Sequence, residues 1–111
     1  MNQAWRKACI NPTSNMRETL ICLEESAQQI ALVVTDTYKL IGIVTDGDIR
    51  RGILKGLGMN SLVTEFMSPN PQCAGPNDSR DMILNRMRSE SFHHMPVLDE
   101  ENTLIDLVLF E

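Results

Sequence analysis

The sequence predicts an α/β (α+β) fold built as two pseudo-symmetric repeats, each a small sheet packed with helices, the second repeat truncated. Three observations predict it. Residues 77–111 lie over residues 13–47 at a shift of 64 without a gap, so that Leu20 falls on Leu84, Val33 on Val97, Leu40 on Leu104 and Ile41 on Ile105. Both copies then run through the same order: polar start, helical stretch, short strand, polar turn, second strand. Finally, 111 residues with 42% hydrophobic and 23% charged side chains suit one compact unit, or two very small ones sharing a core, and not a disordered chain.

In the first copy, Thr13 or Ser14 is expected to cap a helix that presents Met16, Leu20 and Leu23 at helical spacing. Ile30 to Val34 reads as a buried strand, Thr35 to Lys39 as a turn and Leu40 to Thr45 as the returning strand of a hairpin. Asp46 to Leu57 reads as a helix ended by Gly56 and Gly58, and Ser61 to Met67 as a further short helix. Ser68-Pro69-Asn70-Pro71 stops it and fits a loop or an extended entry into a strand, because proline is excluded from helix interiors. In the second copy, Asp78 or Ser79 caps a helix carrying Met82, Ile83 and Met87. Met95 to Leu98 is the strand, Asp99 to Asn102 the turn and Thr103 to Phe110 the return. The expected division is therefore 1–62, an N-terminal segment with the first repeat, and 63–111, the second repeat without its last helix. Units this small cannot each bury a good core, so a pair with facing sheets is the economical arrangement, with clefts where the copies meet. The second copy stops before the equivalent of Asp48, which predicts a fragment of a longer polypeptide or a chain whose last helix is supplied by something else.

Charge narrows the function. Residues 1–62 carry seven basic and six acidic groups, whereas residues 63–111 carry three basic and nine acidic ones. An acidic chain without a basic stripe is a poor partner for nucleic acid. No run approaches the roughly 20 apolar residues of a membrane span, and no secretory h-region follows Met1. Cys9, Cys22 and Cys73 lack metal-type spacing and read as reduced packing thiols in a cytoplasmic protein.

The sharpest local motif is Gly42-Ile43-Val44-Thr45-Asp46-Gly47-Asp48-Ile49-Arg50-Arg51, a strand running into a helix. Thr45 ends the strand and Asp48 sits in the first helical turn, so both side chains can face one cleft. A carboxylate that accepts two ribose hydroxyls, beside a threonine hydroxyl and free N–H groups at a helix start, suits a nucleotide's ribose and phosphate. The same residues also suit a plain helix start, in which Thr45 or Asp46 caps and Asp48 complements the dipole. Adjacent residues on a strand point to opposite sides, so His93-His94 makes a poor metal pair. Asp99-Glu100-Glu101 reads as solvated turn charge, Gly52 to Gly58 lacks Walker spacing, and Arg50, Arg51 and Lys55 form a small basic helical face. No catalytic residue and no metal ligand set is assigned.

Gly42-Ile43-Val44-Thr45-Asp46-Gly47-Asp48, the 64-residue repeat, Phe66-Met67-Ser68-Pro69-Asn70-Pro71 and His93-His94-Met95-Pro96-Val97 together resemble a tandem pair of CBS domains, a Bateman module. Thr45 to Leu54 resembles more narrowly the pair that precedes sugar-phosphate nucleotidyltransferase domains. The resemblance implies a regulatory module that takes an adenosine nucleotide (AMP, ADP or ATP) between its repeats, assembles as a flat homodimer and controls an attached catalytic domain. Carried over by position, Thr45 and Asp48, with Asp46 and Gly47 between them, would hold ribose and phosphate, and His93 and His94 would face phosphate. Two departures follow from the same shift. The first copy has Gln29-Ile30 at the basic positions, and the second has Asp106 for glycine and Leu109 for threonine, which leaves one good nucleotide site at most. Histidines, titrating at about pH 6.5 when free, would make affinity for a polyphosphate rise as pH falls towards 6. The degenerate second copy also admits another class of function, a ligand-free module that only holds enzyme subunits together.

Overall fold

The computed structural model describes residues 3–110 and divides after Pro71 into two compact units. This division and the linear repeat boundary after residue 62 fall at different places. The reason is local: Val63 and Phe66 are buried in the core of the first unit, and Ser68–Pro69 joins its sheet.

The first unit opens with a 3-10 turn over Ala4–Ala8 and strand β1 (Cys9–Ile10), neither of which the sequence pattern announces. Helix α1 (Met16–Ser26) follows, then β2 (Ala31–Val34), β3 (Leu40–Val44), helix α2 (Asp46–Leu54), a 3-10 turn at Val63–Glu65 and β4 (Ser68–Pro69). The sheet order is β1-β2-β3-β4, with β1 parallel to β2 and the other pairs antiparallel. All four residues of β2 are buried, as a run of Ala, Leu and Val covered on both faces requires. Met16, Ala31, Val33, Val44, Ile49, Val63 and Phe66 form the core. Trp5 is buried too, its ring edge-on to Tyr38, with the Arg6 guanidinium over both rings.

Several boundaries move. The α1 cap is Asn15 and not Thr13 or Ser14: its side chain accepts the Glu18 N–H while Glu18 accepts the Asn15 N–H, both at 2.9 Å. Helix α2 ends at Leu54, three residues before the predicted end, where Gly56 takes a left-handed φ of 97°. The helix expected over Ser61 to Met67 is a single 3-10 turn.

The second unit consists of α3 (Arg80–Glu90) and a hairpin of β5 (His94–Leu98) with β6 (Leu104–Leu109). The 64-residue shift carries α1 onto α3 at both ends. It also carries Ala27 onto Ser91 and Tyr38 onto Asn102, all four with positive φ, and the register shift at Val33/Val34 onto that at Val97/Leu98. The repeat therefore extends to backbone irregularities that sequence identity does not reveal. Ile83, Met87, Met95, Val97 and Val108 pack with Ala74, which bridges to Val97. Met82, expected in this core, is 60% exposed, because the stripe facing the hairpin runs through Ile83 and Met87.

Candidate functional site

β3 delivers Thr45 to the start of α2, where it is the N-cap residue. Gly42 sits opposite Pro69 in the β3–β4 pairing, and a Cβ there would lie 2.5 Å from the Met67 sulfur and 3.2 Å from the Ser68 carbonyl oxygen. Only glycine lets this segment close down on β3. Gly52 plays the same part on α2, where an added Cβ would meet Phe66 at 3.1 Å. These two close approaches seat Ser68 beside the first turn of α2.

Asp48 is buried, 6% exposed, and its carboxylate is surrounded by donors. Oδ2 accepts the Thr45 N–H at 3.0 Å and the Thr45 hydroxyl at 3.3 Å. Oδ1 accepts the Ser68 hydroxyl at 2.7 Å and the Arg51 guanidinium at 2.8 Å. Burial of a carboxylate is costly unless its charge is compensated, and these donors compensate it. The plain helix-start role of Asp48 is thus realised.

The structure brings Thr45, Asp46, Gly47 and Asp48 together at the β3–α2 junction, with Asp46 exposed and Gly47 half-buried near the Arg51 guanidinium. His93 and His94 belong to the second unit. His93 is exposed just ahead of β5 and its carbonyl accepts the Phe110 N–H at 3.0 Å, while His94 opens β5 opposite Leu109. Ser68 and Arg51, the partners of Asp48, escaped the sequence reading as site residues. The signal for Ser68 was the Met67-Ser68-Pro69 entry, whose use depends on the β3–β4 register.

The remaining candidates are structural. Asp99 Oδ1 accepts the N–H groups of Glu101 and Thr103, an Asx turn that shapes the β5–β6 connection. Among the described residues Cys9, Cys22 and Cys73 form no disulfide. Burial pushes the Cys9 thiol up to about 11, with the nearby Cys22 adding to the rise and Arg6 opposing it. Burial also raises the Cys22 and Cys73 thiols. Among the described residues no cluster of His, Cys, Asp and Glu could hold a metal ion, and no helix is long and apolar enough to cross a membrane.

With this geometry in place, comparison with known proteins decides the family: the CBS domain matches twice, over residues 5–55 and 63–109. The chain belongs to the CBS domain family as a tandem pair. It is 32% identical over 107 residues, 95% of its length, to a Haemophilus influenzae protein named "Probable arabinose 5-phosphate isomerase", of which it spans 32%. The chain thus spans about a third of the length of the curated relatives it matches first. Among solved structures, MJ1225 of Methanocaldococcus jannaschii superposes with a TM-score of 0.81 at 22% identity, covering 91% of this chain and 42% of that one. The CBS domain protein PAE2072 of Pyrobaculum aerophilum, complexed with AMP, gives 0.78 at 16% identity, covering 91% and 78%. These likenesses show the mixed α/β fold of a CBS pair.

Proposed function

We propose that this CBS pair is a regulatory module that binds an adenosine nucleotide (AMP, ADP or ATP) and controls an attached enzyme of sugar phosphates. The observation that carries the reading is the preset Asp48 carboxylate beside Thr45 at a strand–helix junction, in a chain whose fold is shared with a protein solved with AMP. Asp48 would accept the ribose hydroxyls, and Thr45 with Asp46 and Gly47 at the helix start would serve the phosphate. Two observations bear on the attached enzyme. The Thr45 to Leu54 stretch supports a sugar-phosphate nucleotidyltransferase, and the Haemophilus relative supports a sugar-phosphate isomerase. A homodimer in the cytoplasm completes the reading.

Calorimetric titration with AMP, ADP, ATP and GTP tests it. Selective adenosine-nucleotide binding that is lost in Asp48→Asn supports the assignment, and equal binding by that variant overturns it. One observation favours a second reading, a ligand-free dimerisation module: the acceptor positions of the Asp48 carboxylate are already occupied by four donors. A sedimentation dimer whose dissociation ignores all four nucleotides would decide for that reading.

A further inference from the structure

The Asp48 carboxylate offers about four acceptor positions, and four donors fill them. A ribose can therefore reach Asp48 only by displacing a donor, and the four differ in how readily they leave. The Thr45 N–H is fixed by the start of α2, and the Thr45 hydroxyl stands on the same residue. Both donors on Oδ1 are freer. Arg51 reaches it from a side chain 64% exposed, and the Ser68 hydroxyl swings away by a single rotation about its Cα–Cβ bond. Access exists, since a pocket of about 240 Å³ opens onto this side of the network and is lined by Asp48, Arg51, Gly52, Phe66 and Ser68 among others.

Ser68 also matters for where it lies. β4 is two residues long and pairs with β3 only at Gly42 and Ile43. Its side-chain tie to Asp48 spans 20 residues of sequence and is a hydrogen bond that fastens this short strand to α2. Beyond β4, Asn70 takes a left-handed φ of 53°, and the chain then runs through Pro71 into the second unit. An event that frees Ser68 would remove this tie between β4 and α2.

We propose that Ser68 is a positioning residue and latch: its hydroxyl holds Asp48 in the empty site, and an arriving ribose replaces it, releasing the segment that leads into the second unit. The inference rests on the nucleotide-sensing reading above and gives it a route from occupancy to conformation. A latch of this kind lowers apparent affinity, because ligand binding must open it. Removing it then tightens binding, whereas mere structural damage would weaken it.

The test combines calorimetry with hydrogen–deuterium exchange of the peptide covering residues 66–72, using the full 111-residue chain, AMP as the probe, and Ser68→Ala and Ser68→Thr as variants. In the wild type, AMP is expected to speed exchange in this peptide at least threefold. Ser68→Ala exchanges at the faster rate without AMP and binds AMP about three- to tenfold more tightly, and Ser68→Thr, which keeps the hydroxyl, restores both readouts. AMP binding that leaves the 66–72 exchange unchanged, or Ser68→Ala binding AMP no more tightly than wild type, overturns the latch while the sensing function stands. Absence of any AMP binding by the wild type overturns both, and calorimetry alone distinguishes that case.

Discussion

Replacing Asp48 by alanine in the nucleotide-free protein separates the fold role of this residue from any ligand role. Four hydrogen bonds are lost, of which the one from the Thr45 hydroxyl, at 3.3 Å, is the longest and adds least. The Thr45 N–H at the helix start loses its acceptor, an effect of about 1 kcal/mol for helix-terminal pairings of this kind. The Ser68 hydroxyl loses a short hydrogen bond to a charged group, in a class that contributes about 1.5–3 kcal/mol. Ser68 is half-buried and regains some water, which places its share near the lower end. The Arg51 pair adds a few tenths at most, since its guanidinium is largely exposed and the pair is screened. The expected destabilisation is about 2–3 kcal/mol, read from urea unfolding at pH 7 as a lower midpoint with an unchanged slope. Asp48→Asn keeps an acceptor oxygen and should lose about half as much. If Asp48→Ala unfolds within 0.5 kcal/mol of wild type, the four-donor network does not stabilise the β3–α2 junction, and the reasoning built on it fails.

Gly42→Ala should cost about 1–3 kcal/mol by overpacking, because the Met67 sulfur can move aside but the Ser68 carbonyl 3.2 Å away is backbone; an unchanged urea midpoint would contradict that close approach. Met87 is fully buried in the second unit, so Met87→Ala should cost about 2–5 kcal/mol, whereas the exposed Met82→Ala should stay within about 0.5 kcal/mol; equal effects would refute the packing described. The Cys9 thiol, raised by burial to about 11, should react with iodoacetamide along a pH profile centred near that value, and half-maximal alkylation near pH 9 would contradict its burial. The linkage has a definite sign: the folded state holds this proton more tightly than the unfolded one, so its contribution to stability is present below pH 9 and declines as pH rises towards 11.

The parts of the fold legible in sequence are those whose signal is local. Helices α1 and α3 announce themselves through periodic apolar residues, and the hairpins through runs such as Ala31-Leu32-Val33-Val34 followed by polar turns. Boundaries depend on finer geometry: Asn15 takes the α1 cap because Glu18 stands three residues on and can reciprocate, an option that Thr13 and Ser14 lack. β1, two residues long, has no period to read and exists only through its pairing with β2. At the site, Thr45 and Asp48 were legible because they stand three positions apart, as N-cap and third residue of one helix start. Ser68 was not, since its approach depends on the missing Cβ of Gly42 and on a strand register set by tertiary packing.

The most direct test of the sensing role is thermal unfolding of the chain with AMP at about 100 times its dissociation constant. Linkage then adds roughly 2.7 kcal/mol, which for a protein of this size is a rise of roughly 10 °C. The account predicts that rise with AMP, none with GTP at equal concentration, and none in Asp48→Asn. An unfolding temperature unmoved by AMP, ADP and ATP alike would contradict nucleotide sensing and leave assembly as the function of this CBS pair.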